Sequence, residues 1–345
     1  MNRISDWDEI VCNLQVDLTS HCNARCSMCV RQVDGSTQVK PDLPLHHFDL
    51  NVWNRLVYED LRGWFIDQLI LNGNWGDPMM HPHLVEIVDT FSRAHPETTL
   101  FVHTNGSMRS TQFWHDLAKV SRMFTNHVYI FAIDGLEDTH SIYRVRTKFD
   151  KIIENIKAFT SAKGRARVQM TAFEHNKHQI NEVQQLAKDI GCIEFAVRNS
   201  HGAHTIQDGV EIKETDIEEF DVDFGTNIRM SDLRDTEVWV KAKENLFPEL
   251  NTACPWYNDR QVQIDPWASV WPCCHVSPHG LSYEGDKLEQ MVDKSFIRAR
   301  QTNNLKNHKF KDILCNGWFS DHLPHAVETA KWKECRDTCG VCNDG

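Results

Sequence analysis

Twelve cysteines punctuate the 345 residues, and their placement is uneven. Cys22, Cys26 and Cys29 form a C-x3-C-x2-C run, and the long interval that follows holds only Cys192. Cys254, Cys273, Cys274, Cys315, Cys335, Cys339 and Cys342 then crowd the last quarter. Four thiolates close a structural zinc site or saturate a cubane cluster. Three leave one metal position open, which suits a cofactor that binds its reactant at the metal. His21 could complete a zinc site, but a residue directly beside a ligand rarely reaches the same ion. Near the other end, Cys339-x2-Cys342 is a compact chelating pair, and two distant cysteines added to it can enclose a cluster or a zinc. Two metal sites are implied. Cys12 and Cys192 read as buried thiols and Cys315 as a packing residue.

Loops that carry such ligands need a scaffold to bring them together. Apolar runs predict strands at 13–18, 66–73, 99–106, 127–135, 167–174 and 192–197, with helical patterns at 48–61, 83–94, 110–122, 149–162 and 178–190. That alternation means parallel βα units with right-handed crossovers, whose chemistry gathers at the carboxyl ends of the strands. The segments there are the cysteine loop, NGNWGDP (72–78), HTNGS (103–107) and IDG (133–135). After residue 199 the pattern breaks into an acidic stretch with Asp208, Glu211, Glu214, Asp216, Glu218, Glu219, Asp221 and Asp223. It reads as a solvated connection; the alternative is a lid that selects a basic substrate. The run CPWYNDRQVQIDPWASVWPCC (254–274) places a short hairpin between a cysteine and a cysteine pair. The expected division is a barrel over 1–198, a connecting segment over 199–250 and a cysteine-rich module over 251–345.

Composition narrows the function classes. The sum of 37 basic and 49 acidic residues is -12, against a nucleic-acid binder that depends on phosphate neutralisation. No apolar run approaches a membrane span, and the first ten residues have no signal-peptide core, so a cytoplasmic protein without a membrane partner is expected. Nineteen histidines form no H-E-x-x-H pair.

The cysteine loop after a first strand resembles that of the radical S-adenosylmethionine (SAM) superfamily. The resemblance implies that Cys22, Cys26 and Cys29 bind three irons of a [4Fe–4S] cluster while SAM chelates the fourth. Gly76-Asp77-Pro78 match the last three positions of the family's GGEP motif, where the backbone receives the SAM amino group. Asp77 stands for the glutamate and Trp75 for a glycine. Thr104-Asn105-Gly106 matches the TNG turn. FAIDG, with Asp134, resembles SIDG, and Ala132 sits where a ribose-contacting serine is common. His140 and Arg144 resemble an H-x3-R stretch, with Arg144 facing the SAM carboxylate. Met28 is the expected neighbour of the adenine ring, and Gln169 and Thr171 line the same pocket. The match covers roughly residues 13–198.

The C-terminal cysteines resemble a SPASM or shorter twitch domain, although Ala268 replaces the motif glycine and the full seven-cysteine order is not present. One auxiliary [4Fe–4S] cluster on Cys254, Cys273, Cys339 and Cys342 is implied, with Cys274 and Cys335 as substitutes. The expected architecture is therefore α/β: a partial (β/α)6 radical SAM barrel followed by a small cysteine-rich α+β domain. The expected activity is SAM cleavage and hydrogen abstraction from a peptide or small polar metabolite, ending in oxidation, dehydrogenation or cross-linking. An electron donor such as flavodoxin or ferredoxin would supply the cluster. An isomerase using the same radical and a non-catalytic zinc scaffold are the alternatives.

Overall fold

The computed structural model describes residues 10–33, 35–200, 204–207, 210–213, 215, 254, 256, 260–274, 276 and 294–328. Six strands alternate with helices as the sequence predicts. They are β1 (Ile10–Val16), β2 (Phe65–Leu71), β3 (Thr99–Thr104), β4 (Asn126–Ala132), β5 (Ala166–Ala172) and β6 (Glu194–Asn199). The main helices are α1 (Leu50–Arg55), α2 (Leu84–Ala94), α3 (Thr111–Ser121), α4 (Glu137–Tyr143), α5 (Phe149–Ser161) and α6 (Ile180–Asp189). The chain forms two compact units: residues 1–16, 48–69 and 230–345, and residues 17–47 and 70–229.

In the second unit, strand order runs from the end of β2 through β3-β4-β5-β6, and the β3 to β6 pairs are parallel. Helical periodicity explains the cover. Leu84, Ile87, Val88 and Phe91 of α2 are buried, as are Trp114, Leu117 and Ala118 of α3 and Ile152, Ile156 and Phe159 of α5. Ser110 caps α3 by accepting from Phe113 N. Tyr129 and Phe131 meet these helices through Phe159 and Trp114, at 4.5 and 5.2 Å between ring centroids. Strand alternation then turns Ile130 and Ala132 to the opposite face, with His103 of β3 and Arg167, Gln169 and Thr171 of β5. That face is polar.

In the first unit the order is β10-β9-β1-β2, with β9 (Gln261–Ile264) and β10 (Val270–Trp271). The expected hairpin is present, but β9 pairs in parallel with β1, Leu14 opposite Val262. The boundary read at residue 250 therefore does not separate the hairpin from the first strand. Val11, Leu14 and Val16 are fully buried, and β9 supplies the pairing that an apolar β1 edge would otherwise lack. The Asp265 carboxylate ties the turn by accepting from Trp267 N and Ser269 N at 2.9 Å and from Trp271 Nε1 at 2.8 Å. Burial pushes its carboxyl up to about 6 against those bonds. Helices Lys294–Thr302, Phe310–Leu314 and Leu323–Glu328 follow.

Part of the acidic segment is ordered too. Strands β7 (His204–Gln207) and β8 (Val210–Lys213) pair antiparallel, and Ile212 packs on Phe173. Of the expected lid residues only Glu211 is described; Asp208, Glu214 and those from 216 onward lie outside the described residues.

Candidate functional site

The cysteine loop is gripped from three strand ends. Asp17, buried just after β1, accepts from Asn74 N at 3.0 Å and Asn74 Nδ2 at 3.2 Å, so the loop after β2 is tied down first. Asp77 N then donates to His21 O at 2.9 Å. A Cβ on Gly76 would lie 2.4 Å from Thr19 O and 2.5 Å from His21 O. The sequence reading assigned this glycine to close approach by SAM; here the backbone of the cysteine loop itself requires it.

Asp77 is a buried hub. Its carboxylate accepts from Met79 N (2.9 Å), Thr104 Oγ1 (2.9 Å), Asn105 N (2.8 Å) and Asn105 Nδ2 (2.6 Å). Burial raises its pKa, and the bonds to Asn105 and Met79 oppose the rise. The side chain thus joins the loop after β2 to the turn after β3. Pro78 opens a single 3-10 turn behind it. Asn105 Nδ2 also reaches Asn23 Oδ1 at 2.9 Å and lies 3.9 Å from Cys22 Sγ.

Asp134 holds the other side. It is fully buried, accepts from Thr171 N at 2.7 Å and pairs with Arg144 Nε. Arg144 Nη1 then comes to 3.9 Å from Cys26 Sγ. Burial works against the guanidinium charge, but Asp134 and then Cys26 hold Arg144 firmly charged. The sequence reading aimed Arg144 at the SAM carboxylate; the structure engages it with Asp134 and Cys26. His140 fixes the turn between them: Nδ1 accepts from Asp134 N at 3.2 Å and Nε2 meets Thr147 Oγ1 at 3.0 Å. That hydroxyl donates to Arg144 O at 2.6 Å. Burial pushes His140 down to about 4, so it is neutral.

Each of the two thiols nearest the strands therefore has an N–H donor in reach, as cluster sulfurs require. Without metal, burial pushes the Cys22 thiol up to about 12, assisted by Asp77, and the Cys26 thiol up to about 11. Metal ligation at these thiols would require those protons to leave, with the charge of the metal offsetting the burial. Cys29 is half-buried, its N–H bonded to Cys26 O at 3.0 Å, and Met28 beside it is exposed. The donor set fits a cluster. His21 stacks on His47 at 4.3 Å. Among the described residues no three histidine, cysteine or acidic side chains converge as a single ion would need; a cluster instead gives each thiolate its own iron.

Gln169 and Thr171 share the polar sheet face with Ala132. Gln169 Oε1 is buried with no hydrogen-bond partner among the described residues, and Ala132 stands opposite it in register. In the first unit Cys254 and Cys273 are buried and Cys274 is half-buried. Cys335, Cys339 and Cys342 lie outside the described residues. Ala268 adopts φ +72°, the left-handed region that favours glycine. Sequence reasoning missed Asp17 and the contacts of Asn105 with the cysteine loop. Both follow strands, which was the one available signal.

No family model matches the chain. A 103-residue stretch is 28% identical to the GTP 3',8-cyclase of Streptomyces coelicolor, covering 30% of this chain and 28% of that protein. Among solved structures, Streptococcus suis SuiB bound to S-adenosylmethionine superposes with TM-score 0.53 at 15% identity, over 98% of this chain and 73% of that one. SuiB bound to its precursor peptide SuiA gives 0.54 at 14% identity, over 98% and 72%. Native anSMEcpe with bound AdoMet gives 0.51 at 13% identity, over 96% and 91%. These likenesses establish a shared fold.

Proposed function

We propose that this chain, a radical SAM superfamily protein by fold and motif, cleaves SAM reductively and abstracts hydrogen from a polar substrate. The placement of Arg144 and Asn105 beside the buried Cys26 and the half-buried Cys22 carries the reading, because it sets an N–H donor against each sulfur. Cys22, Cys26 and Cys29 would hold the [4Fe–4S] cluster, with SAM at the open iron. A cluster held there would supply one-electron chemistry, the reductive cleavage of the SAM sulfonium, with the electron drawn from an external reductant. The loop from Gly76 to Pro78 would receive the SAM amino group. Gln169 Oε1 would accept from a ribose hydroxyl in place of the serine lost at Ala132, with Thr171 beside it. Met28 would cover the adenine ring. Asp134 and Asp77 act through Arg144 and Asn105 and keep the loop geometry fixed.

A peptide or small polar metabolite is the proposed substrate, supported by the polar sheet face and by SuiB binding its precursor peptide. A second cluster on Cys254, Cys273, Cys339 and Cys342 would offer an outlet for the electron released in an oxidation. The buried Cys254 and Cys273 and the left-handed Ala268 support it. Flavodoxin or ferredoxin is the proposed reductant and the cytoplasm the proposed compartment; no described helix is long and apolar enough to cross a membrane.

Anaerobic reconstitution tests the reading by counting iron and sulfide, then adding dithionite and SAM. About eight irons per chain with 5′-deoxyadenosine formation is the expected result, two cubanes holding about four each. About four irons with cleavage would remove the auxiliary cluster alone. Zinc without cleavage would sink the enzyme reading.

A further inference from the structure

The polar sheet face of the second unit carries more charge than SAM chemistry uses. Its rows follow the strand register. His103, Ile130, Arg167 and Glu194 form one row, Ala132, Gln169 and Ala196 the next, and Thr171 and Arg198 lie nearest the carboxyl ends. Two of the three arginines around this face are neutralised: Arg144 by Asp134, and Arg167 by Glu194 through Nη2. Arg198 is exposed and forms no ion pair among the described residues. Its neighbours on the same face are Ala196 and Thr171, both small, with Gln169 in the adjacent row. His103 adds no charge, since burial, then Arg198 and Arg167, push it down to about 4. Among the described residues of these rows, the charge left without an ion-pair partner is that of Arg198.

We propose that Arg198 anchors an oxyanion of the substrate, a carboxylate or a phosphate group. Arg198 is two strands from the end of β4, about 10 Å across the sheet from Asp134 and its partner Arg144. A small molecule or peptide side chain held there by its anion extends toward the cysteine loop. The planar fork of arginine suits either oxyanion through paired N–H bonds. The inference rests on the radical reading for what happens next, but not for the binding itself.

The test uses the reconstituted full chain with pyrophosphate and succinate as probes, titrated at constant ionic strength, and SAM titrated separately. The parent protein is expected to bind one probe saturably, and which one separates phosphate from carboxylate. Arg198→Gln is expected to weaken that probe at least tenfold, and Arg198→Lys to recover part of the loss. Arg93→Gln, on the surface of α2, controls for general charge. Failure of both probes to bind the parent, or equal affinity in Arg198→Gln, overturns the proposal. A parallel loss of SAM affinity in Arg198→Gln also overturns it, because the anion would then be that of SAM. Failure of the parent to bind or cleave SAM counts against the radical reading and leaves the probe result standing.

Discussion

Burial sets the protonation of His127 more than the charges around it do, and the consequence is a dependence of stability on pH. Burial, then Arg165 and Arg122, push it down to about 4, and its Nε2 accepts from Arg165 N at 3.2 Å. Protonation destroys that acceptor. The folded-state pKa lies below the unfolded value of 6.5, so the stabilisation is fully present above pH 6.5 and drains away as pH falls toward 4. Its size is up to about 3 kcal/mol. Urea unfolding of the metal-free chain across that window is expected to show the slope, and His127→Gln to flatten it. Arg144 offers a sharper case, since Asp134 is fully buried. Arg144→Gln leaves that carboxylate unpaired and is expected to cost about 3 kcal/mol, with iron lost from the reconstituted protein. Stability retained alongside iron loss would assign Arg144 to the cluster alone. Arg144 was legible in the sequence because H-x3-R is a spaced motif. Its partnership with Asp134 was not, because ten residues of turn and helix separate them and only the fold brings them together.

At the scale of elements, the strand ends and turns carry the strain that the site needs. Gly76 admits no side chain, so Gly76→Ala is expected to push the loop after β2 away from His21 and to lower iron retention. Far-UV circular dichroism should stay close to the parent, since no helix or strand contains the residue. Ala268 presents the opposite case, a side chain where glycine fits better. Ala268→Gly is expected to raise stability by about 1 kcal/mol, read as a higher urea midpoint at unchanged slope. The gain is limited because Ala268 is fully buried and its methyl group loses packing. Alternation and helical periodicity made the six strands and most helices legible, each within a few residues. The seven residues of α4 gave too short a pattern. In β5 the same alternation already placed Gln169 and Thr171 on one face, which is how Arg198 in register with Thr171 acquires its meaning.

For the whole molecule, the pairing of β1 with β9 decides what can be cut. Nothing in the local pattern of NLQVDL or QVQI announces it, because Gln15 and Gln261 are 246 residues apart and a parallel pair needs no turn between its strands. Sequence periodicity finds strands; it does not find their neighbours. The linear division into a barrel over 1–198 and a module over 251–345 follows from that blindness. The compact unit that holds β1 also holds residues 230–345. Its packing agrees: Trp64 meets Phe310 at 5.4 Å, and Phe310 N donates to Asp60 Oδ2 at 3.3 Å. A chain ending at residue 198 removes β9 and Phe310 together. It leaves β1 as an open, apolar edge and uncovers Trp64, the combination that drives edge-to-edge association. That fragment is expected to aggregate, or to unfold without a cooperative transition, when followed by light scattering and thermal circular dichroism. A monomeric fragment with a sharp transition would restore the barrel as an independent domain. It would also make the β9 pairing a late addition to a sheet already stable without it.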